Sequence, residues 1–453
     1  MDTWHDLTGL TLVVGLGVSG LSAVRALRAL GAEVAVADSR PHPPGLDTLA
    51  REHPEVAVHL GGFDAAVFTR AARLLTSPGV ALATPAVRAA VAAGIPVWGD
   101  IELLARLSTV PVAAITGSNG KSTVTTLLGE MAAAAGRTVA VGGNLGTAAL
   151  DLWRTTEHAG QRPDLYVLEL SSFQLETTAS LNAAAATVLN LSPDHMDRYA
   201  SVWDYAEAKR RVFRGGGVMV VNADDPLVEA MAASDRVVRR FRLGVPGQGE
   251  YGTVERDARV WLAHGDEPLL AADELRIGGR HNLANVLACF ALGDALGLER
   301  AAMTRAARDF AGLAHRTQLV VEGAGVRWFD DSKGTNVGAT VAAVAGLSGP
   351  LVVIAGGDGK GQDFAPLAAA FAGKVRAAVL IGRDAALVAR ALDGCVEVHH
   401  AGSMDAAVEL AARLARPGDS VLLSPACASL DMFKDYAERG RVFAAAARRA
   451  AGC

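Results

Sequence analysis

Val110-Pro111-Val112-Ala113-Ala114-Ile115-Thr116-Gly117-Ser118-Asn119-Gly120-Lys121-Ser122-Thr123 decides how the rest of the chain is read. An apolar run ends in a glycine-rich turn, and Lys121-Ser122-Thr123 opens an amphipathic pattern that predicts a helix to about residue 135. Strand, glycine turn and helix in this order are the layout of a phosphate-binding loop. Gly117 and Gly120 let the backbone curl so that successive N–H groups face one concavity. The helix start beneath them adds partial positive charge. Lys121 is placed to reach the outer phosphates, and the Ser122 hydroxyl to ligate magnesium. Only Ser118 and Asn119 separate the glycines, a shorter spacing than the common phosphate-loop pattern. A plain strand–turn–helix is therefore the alternative, and the neighbouring segments decide between the two.

Downstream, Val139-Ala140-Val141 leads into Gly142-Gly143-Asn144-Leu145-Gly146, a strand and a polar turn. Asp164 to Leu170 is an apolar strand carrying Glu169 near its end, and a buried acid is costly unless paired or bound to a metal. The next strand, Ala186 to Leu189, runs into Asn190-Leu191-Ser192-Pro193-Asp194-His195-Met196-Asp197-Arg198-Tyr199. In a parallel sheet these strand ends share one edge, which brings Lys121, Ser122, Glu169 and His195 together as a magnesium–triphosphate site requires. His195 alone would suit a structural histidine equally well. Lys209 lies on a predicted helix from Ser201 to Phe213 beside Arg210 and Arg211, and sequence physics makes it a solvated lysine. Asn282 and Asn285 share a face of a helix that begins near Arg280. They are suited to reading a purine edge, although helix capping explains Asn282 as well.

At 453 residues the chain predicts two or three domains, with limits placed at 1–99, 100–312 and 313–453. The first opens with a strand, Leu10 to Val14, a turn, Gly15-Leu16-Gly17-Val18-Ser19-Gly20, and a helix. Its second strand ends in Asp38, where a dinucleotide fold places its ribose-binding acid. NAD fits this pattern, but so does any diphosphate ligand, or a βαβ unit with no ligand. Ser39-Arg40 and Ser77-Pro78-Gly79 lie at the same sheet edge. In the third part, strands end in Asp330-Asp331-Ser332-Lys333-Gly334-Thr335-Asn336, Gly356-Gly357-Asp358-Gly359-Lys360 and Ser424-Pro425-Ala426-Cys427-Ala428-Ser429-Leu430-Asp431. The expected fold class is α/β in three domains. The first is Rossmann-like, the central one a P-loop ATPase-like, mostly parallel sheet, and the third again Rossmann-like.

Composition narrows the function classes. A net charge of -5 argues against general nucleic-acid binding, which shows a basic footprint; Lys209-Arg210-Arg211 and Arg239-Arg240 read as solvated faces or small-ligand contacts. The acidic start Met1 to Asp6 does not suit a signal peptide, and no apolar stretch is long enough to span a bilayer. Cys289, Cys395, Cys427 and Cys453 show no paired metal-ligand spacing. A reduced, cytoplasmic protein without membrane or nucleic-acid partners is expected.

Taken together, 116–123, Glu169-Leu170-Ser171-Ser172-Phe173-Gln174-Leu175-Glu176, Asp194–Tyr199, His281-Asn282, Asp331-Ser332-Lys333 and Gly356–Lys360 resemble the ATP-dependent Mur ligases over essentially the whole chain. Within them, the stretches 331–336 and 424–431 are similar to the branch that adds D-glutamate. The Asp-Asn-Pro-Arg motif of the diaminopimelate- or lysine-adding branch is absent. The resemblance implies an ATP-dependent, amide-forming ligase of peptidoglycan synthesis. Its substrates would be UDP-N-acetylmuramoyl-L-alanine, D-glutamate and ATP, and it would act as a monomer.

Residue by residue, the resemblance implies that Val18, Ser19, Ser39, Arg40, Gly79, Asn144 and His195 hold the UDP-linked substrate, which replaces NAD in the first domain. Gly117, Ser118, Asn119, Gly120, Lys121, Ser122, Thr123, Asn282, Asn285, Arg316 and Asp331 would hold ATP. Ser122 and Glu169 would bind one magnesium ion, and His195 with Lys209, carbamylated by carbon dioxide, a second. Lys333, Thr335, Lys360, Ser429, Leu430 and Tyr436 would receive D-glutamate. Lys121, Glu169, His195, Lys209 and Lys333 would carry the chemistry. Gly334 and Tyr436 depart from the family pattern, which has alanine and phenylalanine there. The rivals are a folylpolyglutamate synthetase-like ligase, against which Ser39-Arg40 and 331–333 speak, and a nucleotide switch that hydrolyses ATP without ligation.

Overall fold

The computed structural model describes residues 7–452; the acidic start at 1–6 and Cys453 lie outside them. Three sheets follow one another along the chain. The first contains β1 (Thr11–Val14), β2 (Val34–Asp38), β3 (Ala57–Leu60), β4 (Arg73–Thr76) and β5 (Val97–Trp98), in the order β3-β2-β1-β4-β5. All its pairings are parallel. β1, β2 and β4 are buried throughout, which is why they read as continuous apolar runs instead of alternating ones.

The central sheet contains β6 (Val112–Thr116), β7 (Val139–Gly143), β8 (Leu165–Glu169), β9 (Ala185–Val188), β10 (Val218–Asn222), β11 (Val238–Phe241), β12 (Tyr251–Arg256), β13 (Arg259–His264) and β14 (Glu267–Ala271). Its order is β14-β13-β12-β11-β10-β9-β6-β8-β7. β7 to β11 run parallel around β6, whereas β12 to β14 form an antiparallel extension. β10 to β14 are missing from the sequence-based expectation, because no recognisable motif follows the buried run of β10 or the partly exposed patterns of β11 to β14. On one face of this sheet the helices Lys121–Ala134 and Arg280–Ala295 pack together. Leu127, Leu128 and Met131 share a core there with Val286, Leu287 and Phe290. Burying each of these large side chains contributes roughly 2 kcal/mol, so the phosphate loop sits on a rigid platform.

The third sheet contains β15 (Gln318–Gly323), β16 (Val326–Asp330), β17 (Leu351–Gly356), β18 (Val375–Ile381), β19 (Glu397–His400) and β20 (Ser420–Leu423), in the order β15-β16-β20-β17-β18-β19. Only β15 runs antiparallel to its neighbour. The last helix spans Tyr436–Ala450 and is capped by the Asp435 carboxylate.

The two interfaces between the domains differ in kind. One apolar core runs from Val13, Val24 and Leu27 of the first domain through Ile101 and Leu103 to Trp153 and Tyr166 of the second. The connecting helix Asp100–Leu107 is tied down by Gln174 Nε2 donating to Asp100 at 2.9 Å and the Ala179 and Ser180 N–H groups donating to Glu102 at 2.7 and 2.8 Å. The third domain instead meets the second through polar contacts. Asn119 and Asn336 exchange amide hydrogen bonds at 3.3 and 3.2 Å, Lys360 pairs with Asp194 at 2.8 Å, and Arg316 reaches Ser122 at 2.7 Å. Polar contacts of this kind exchange more readily with water than a shared apolar core does.

Candidate active site

Each sheet presents the carboxyl ends of its strands to ligands, with a switch in strand order there, as open α/β sheets do. In the central sheet β6 lies between β8 and β9, so their following loops are adjacent. Gly120 precedes the helix in a left-handed conformation, φ 85°, and a Cβ there would collide with Asn285 Oδ1. Only glycine lets the loop close over that asparagine. Lys121 Nζ lies folded onto the carbonyls of Gly117 and Ser118, at 2.9 Å each. Ser122 Oγ donates to Glu169 Oε2 at 2.6 Å, and Asn144 Nδ2 donates to Glu169 Oε1 at 2.8 Å. Burial opposes the charge on Glu169, but the Lys121 cation and these two hydrogen bonds outweigh it and hold the carboxyl below its ordinary range.

Lys209 corrects the sequence-based expectation of a solvated side chain. It is 1% exposed, because the helix Val202–Arg210 turns it inward beneath the phosphate loop. Its Nζ donates to Gly117 O at 2.8 Å and Thr116 Oγ1 at 3.2 Å, and lies 4.6 Å from the Tyr205 ring centre. Among the described residues no carboxylate hydrogen-bonds to it. Desolvation, with Lys121 nearby, holds the amine well below the usual lysine range. Of the other residues in the basic runs, Arg210 is exposed and pairs with Glu207, Arg240 pairs with Glu229 at 2.9 Å at the half-exposed surface, and Arg211 turns to a backbone carbonyl, that of Glu176.

His195 occupies a left-handed backbone conformation, φ 58°, with its ring packed 4.7 Å from Phe173. Burial lowers its pKa and favours the neutral imidazole. The preceding Asp194 is the acceptor for Lys360 and for Asn336, at 2.8 and 3.2 Å.

Between the central and third domains lies a cavity of about 330 Å³. Asn119, Gly120, Thr123, Asn282, Asn285, Arg316, Asp331 and Lys333 are among the residues lining it. Asn282 does not cap its helix. The preceding Gly279 is the cap residue, and Asn282 donates to Gly278 O at 2.8 Å while accepting from Asn285 at 3.2 Å. Asp331 accepts from Ser424 at 2.7 Å and from the Thr317 N–H at 3.1 Å, and burial raises its pKa to about 7. Lys333 Nζ sits 3.7 Å over the Tyr436 ring, and burial beside Arg316 lowers its pKa to about 8. The loops after β16, β17 and β20 bring Lys333, Thr335, Lys360 and Ser429 to one edge of the third sheet. Leu430 beside them is 72% exposed.

In the first domain, Val18 and Ser19 open the helix Val18–Ala29, whose first N–H groups receive no side-chain cap. Asp38 is fully engaged. Oδ2 accepts from Leu16 N at 2.7 Å and Arg40 Nη2 at 2.7 Å, and Oδ1 from Arg40 N and Nε at 2.9 Å each. Four donors saturate a carboxylate, so Asp38 has no acceptor site left for a ribose diol. The NAD reading of this turn therefore loses its key contact. Ser39 and Arg40 remain exposed at the edge, and Gly79 faces open space.

Family comparisons follow this geometry domain by domain. The pattern described as Mur ligase MurD-like, N-terminal domain, matches residues 10–99; Mur ligase middle domain matches 115–293; and Mur ligase, glutamate ligase domain, matches 315–427. The UDP-N-acetylmuramoylalanine--D-glutamate ligase of Nitrosococcus oceani is 53% identical over 445 residues, covering 98% of this chain and 97% of its own. The chain belongs to the Mur ligase family. The enzyme of the same name from Pseudomonas aeruginosa is 53% identical over 439 residues, covering 96% of this chain and 97% of its own. Among solved structures, UDP-N-acetylmuramate-alanine ligase MurC from Thermotoga maritima superposes with a TM-score of 0.59 at 17% identity, over 96% of this chain and 98% of that one. MurF from Acinetobacter baumannii gives 0.60 at 17% identity, over 91% and 86%. At such identities the structures speak for the fold alone.

Two features of this Mur ligase site were not legible in its sequence. Asn336 and Asp194 lie inside quoted motifs, but their pairing across 142 residues is a product of domain docking. Arg439 is buried, donating to Ser332 Oγ and O and to Cys427 O at 2.9, 2.8 and 3.1 Å. It thus holds the Asp331–Lys333 loop, though by sequence it is one arginine among many on a surface helix.

Proposed function

We propose that this protein is the ATP-dependent ligase that joins D-glutamate to UDP-N-acetylmuramoyl-L-alanine through an acyl phosphate in peptidoglycan precursor synthesis. The observation that carries the geometric side of this reading is the convergence of Lys121, Ser122 and Glu169 with Arg316, Lys333 and Lys360 at one domain junction. A nucleotide switch would need Lys121, Ser122, Glu169 and Arg316 but would leave Lys333 and Lys360 without an anionic substrate to hold. Full-length identity above one half to enzymes of that name supports the choice of amino acid.

In the proposed reaction the alanyl carboxylate oxygen attacks the γ-phosphorus of ATP, the bond to the β-bridging oxygen breaks, and ADP departs. The acyl phosphate so formed is attacked at its carbonyl carbon by the D-glutamate nitrogen. The carbonyl–oxygen bond to phosphate then breaks, releasing inorganic phosphate, and the nitrogen loses its proton. Lys121, once unfolded from the loop carbonyls, neutralises charge on the transferring phosphoryl. Asn282, Asn285, Arg316 and Asp331 hold the adenosine end and Gly117 to Thr123 the phosphates. Val18, Ser19, Ser39, Arg40 and Gly79 hold the UDP end of the acceptor, with Asn144 and His195 at its acyl end. Lys333 and Lys360, with Thr335, Ser429, Leu430 and Tyr436, receive the two carboxylates of D-glutamate. Lys360 must share or exchange Asp194 to do so. Closure of the third domain keeps water from the hydrolysable intermediate.

The residues also fit magnesium. Ser122 and Glu169 offer hard oxygens 2.6 Å apart. Among the described residues no group of three or more His, Cys, Asp or Glu could hold an ion by itself. That suits an ion which completes its shell with phosphate oxygens and water. Bound there, magnesium supplies charge neutralisation to the phosphoryl oxygens. A second ion would take His195 and Lys209, the latter as a carbamate. All these groups lie in one chain, which suits a monomer, and both ATP and the UDP-linked substrate place the work in the cytoplasm. Among the described residues no helix is long and apolar enough to cross a membrane.

The deciding experiment is phosphate release with ATP, magnesium and UDP-N-acetylmuramoyl-L-alanine, offering D-glutamate, L-glutamate, L-alanine and L-lysine in turn. Release only with D-glutamate, with an amide product of matching mass, is expected; release regardless of amino acid would make the protein an ATPase.

Lys333 adds a pH signature. Its folded pKa of about 8 keeps it cationic below that value and neutral above. Attraction for a substrate carboxylate is thus present below pH 8 and lost as the pH rises. Glutarate, which has both carboxylates and no amine to confuse the titration, is expected to inhibit about tenfold more weakly per pH unit above 8. In Lys333→Arg that inflection disappears, because the guanidinium does not titrate there.

A further inference from the structure

Arg198 belongs to a motif singled out in the sequence, yet none of the roles above uses it. Its guanidinium is held bidentately by Glu176, at 3.2 Å to Oε1 and 2.5 Å to Oε2, and stacks 4.2 Å from the Phe173 ring centre. Tyr199 Oη donates to the same Glu176 at 2.6 Å. The remaining guanidinium nitrogen, Nη1, crosses to the first domain and donates to Pro78 O at 2.9 Å. Phe173 in turn packs on the His195 ring, and the His195 carbonyl accepts the Arg198 and Tyr199 N–H groups at 2.9 and 3.1 Å. One planar cation therefore touches, directly or through one ring, both the loop that faces the UDP end and the histidine at the acyl end.

Two simpler roles are already filled by other groups. The Ser77–Gly79 loop is shaped within its own domain. Ser77 Oγ donates to Gly15 O at 2.7 Å, Ser77 N to Val14 O at 2.8 Å and Val80 N to Ser77 O at 2.9 Å. Docking of the two domains is carried by their shared apolar core and by the Asp100–Gln174 contact. What Arg198 adds is register between two segments that face the same ligand.

We infer that Arg198 is a positioning residue that sets the spacing between the Pro78–Gly79 loop and His195, and so selects a UDP-linked acceptor long enough to engage both. The inference rests on the ligase reading above. A substrate held at both ends reports on that spacing; a fragment held at one end does not. Misplacing one end by about an ångström costs up to about 10²-fold.

The test compares binding of UDP and of UDP-N-acetylmuramoyl-L-alanine to the full chain by calorimetry, together with the KM for ATP and the melting temperature. In Arg198→Met, affinity for the complete substrate is expected to fall roughly 30-fold, with UDP affinity and the KM for ATP within about twofold of wild type. Arg198→Lys, whose single ammonium cannot serve both Glu176 and Pro78, shows the same ordering at smaller amplitude and carries the test alone if the methionine variant does not fold. Parallel weakening of UDP and complete substrate would assign Arg198 to loop shape, and equal affinities for wild type and variants would remove it from recognition; either overturns the inference. A wild-type protein that binds UDP but not the complete substrate would instead overturn the ligase reading, and this inference with it.

Discussion

Lys209→Met lowers kcat by at least about 10³-fold while leaving the melting temperature near that of the wild type, as loss of a positioned charge in a phosphoryl-transfer site does. The expectation starts from an anomaly of packing. A lysine 1% exposed has a carbonyl, a hydroxyl and a tyrosine face as its direct partners, and the Asp194 and Glu169 carboxylates act on it without outweighing its burial. Desolvation settles the matter by favouring the neutral amine. Only a neutral amine attacks carbon dioxide: the N–C bond forms, one C=O bond becomes the carboxylate, and the nitrogen gives up a proton. The product replaces a neutral buried amine with a carbamate, one negative charge shared by two oxygens beside the phosphate loop, which is what a hard metal ion would need. Methionine is similar in length and apolar, so it removes the chemistry without opening a cavity. Labelled bicarbonate should give a carbamate carbon resonance in the wild type and none in Lys209→Met or Lys209→Arg. Full activity in Lys209→Arg would sink the proposal, because a guanidinium cannot form the carbamate.

Glu169→Gln is expected to cost about 10²- to 10³-fold in kcat and to shift magnesium dependence to higher concentration. The isostere keeps the local bonds: its oxygen still accepts from Asn144, and its amide can donate to Ser122, which then turns its hydroxyl elsewhere. What is lost is the one carboxylate hydrogen-bonded to Ser122 at the phosphate loop. Because the Lys121 cation and the two hydrogen bonds outweigh burial and favour the carboxylate, the variant should melt slightly below the wild type at neutral pH. A titration of activity against magnesium, with thermal melting alongside, separates the two effects. An unchanged magnesium requirement would remove Glu169 from the metal site.

These two residues also show how far the sequence could be read. Glu169 was legible because a lone acid at the end of an apolar strand is costly, although only the pairing of β8 with β6 puts it beside the phosphate loop. Lys209 was not. It lies between Ala208 and Arg210 on a helix of weak amphipathicity, and nothing local distinguishes a lysine turned inward from one turned to water. Only the family resemblance marked it out. Asp38 illustrates the opposite error. Its position after β2 matches a ribose-binding acid, but tertiary structure gives all four acceptor sites to Leu16 and Arg40.

By itself, the sequence determined a three-domain α/β fold, the phosphate loop, and the strand ends that carry Glu169, His195, Asp331 and Lys333, but not β10 to β14 of the central sheet. It could do so because buried parallel strands and glycine turns are set by contacts a few residues long. Tertiary structure alone decided which of those ends meet. The strand order that puts β6 between β8 and β9, the burial of Lys209, the reach of Arg316 to Ser122 and of Arg198 to Pro78 all join residues far apart in the chain. Such contacts depend on how whole layers pack, and no local propensity encodes them.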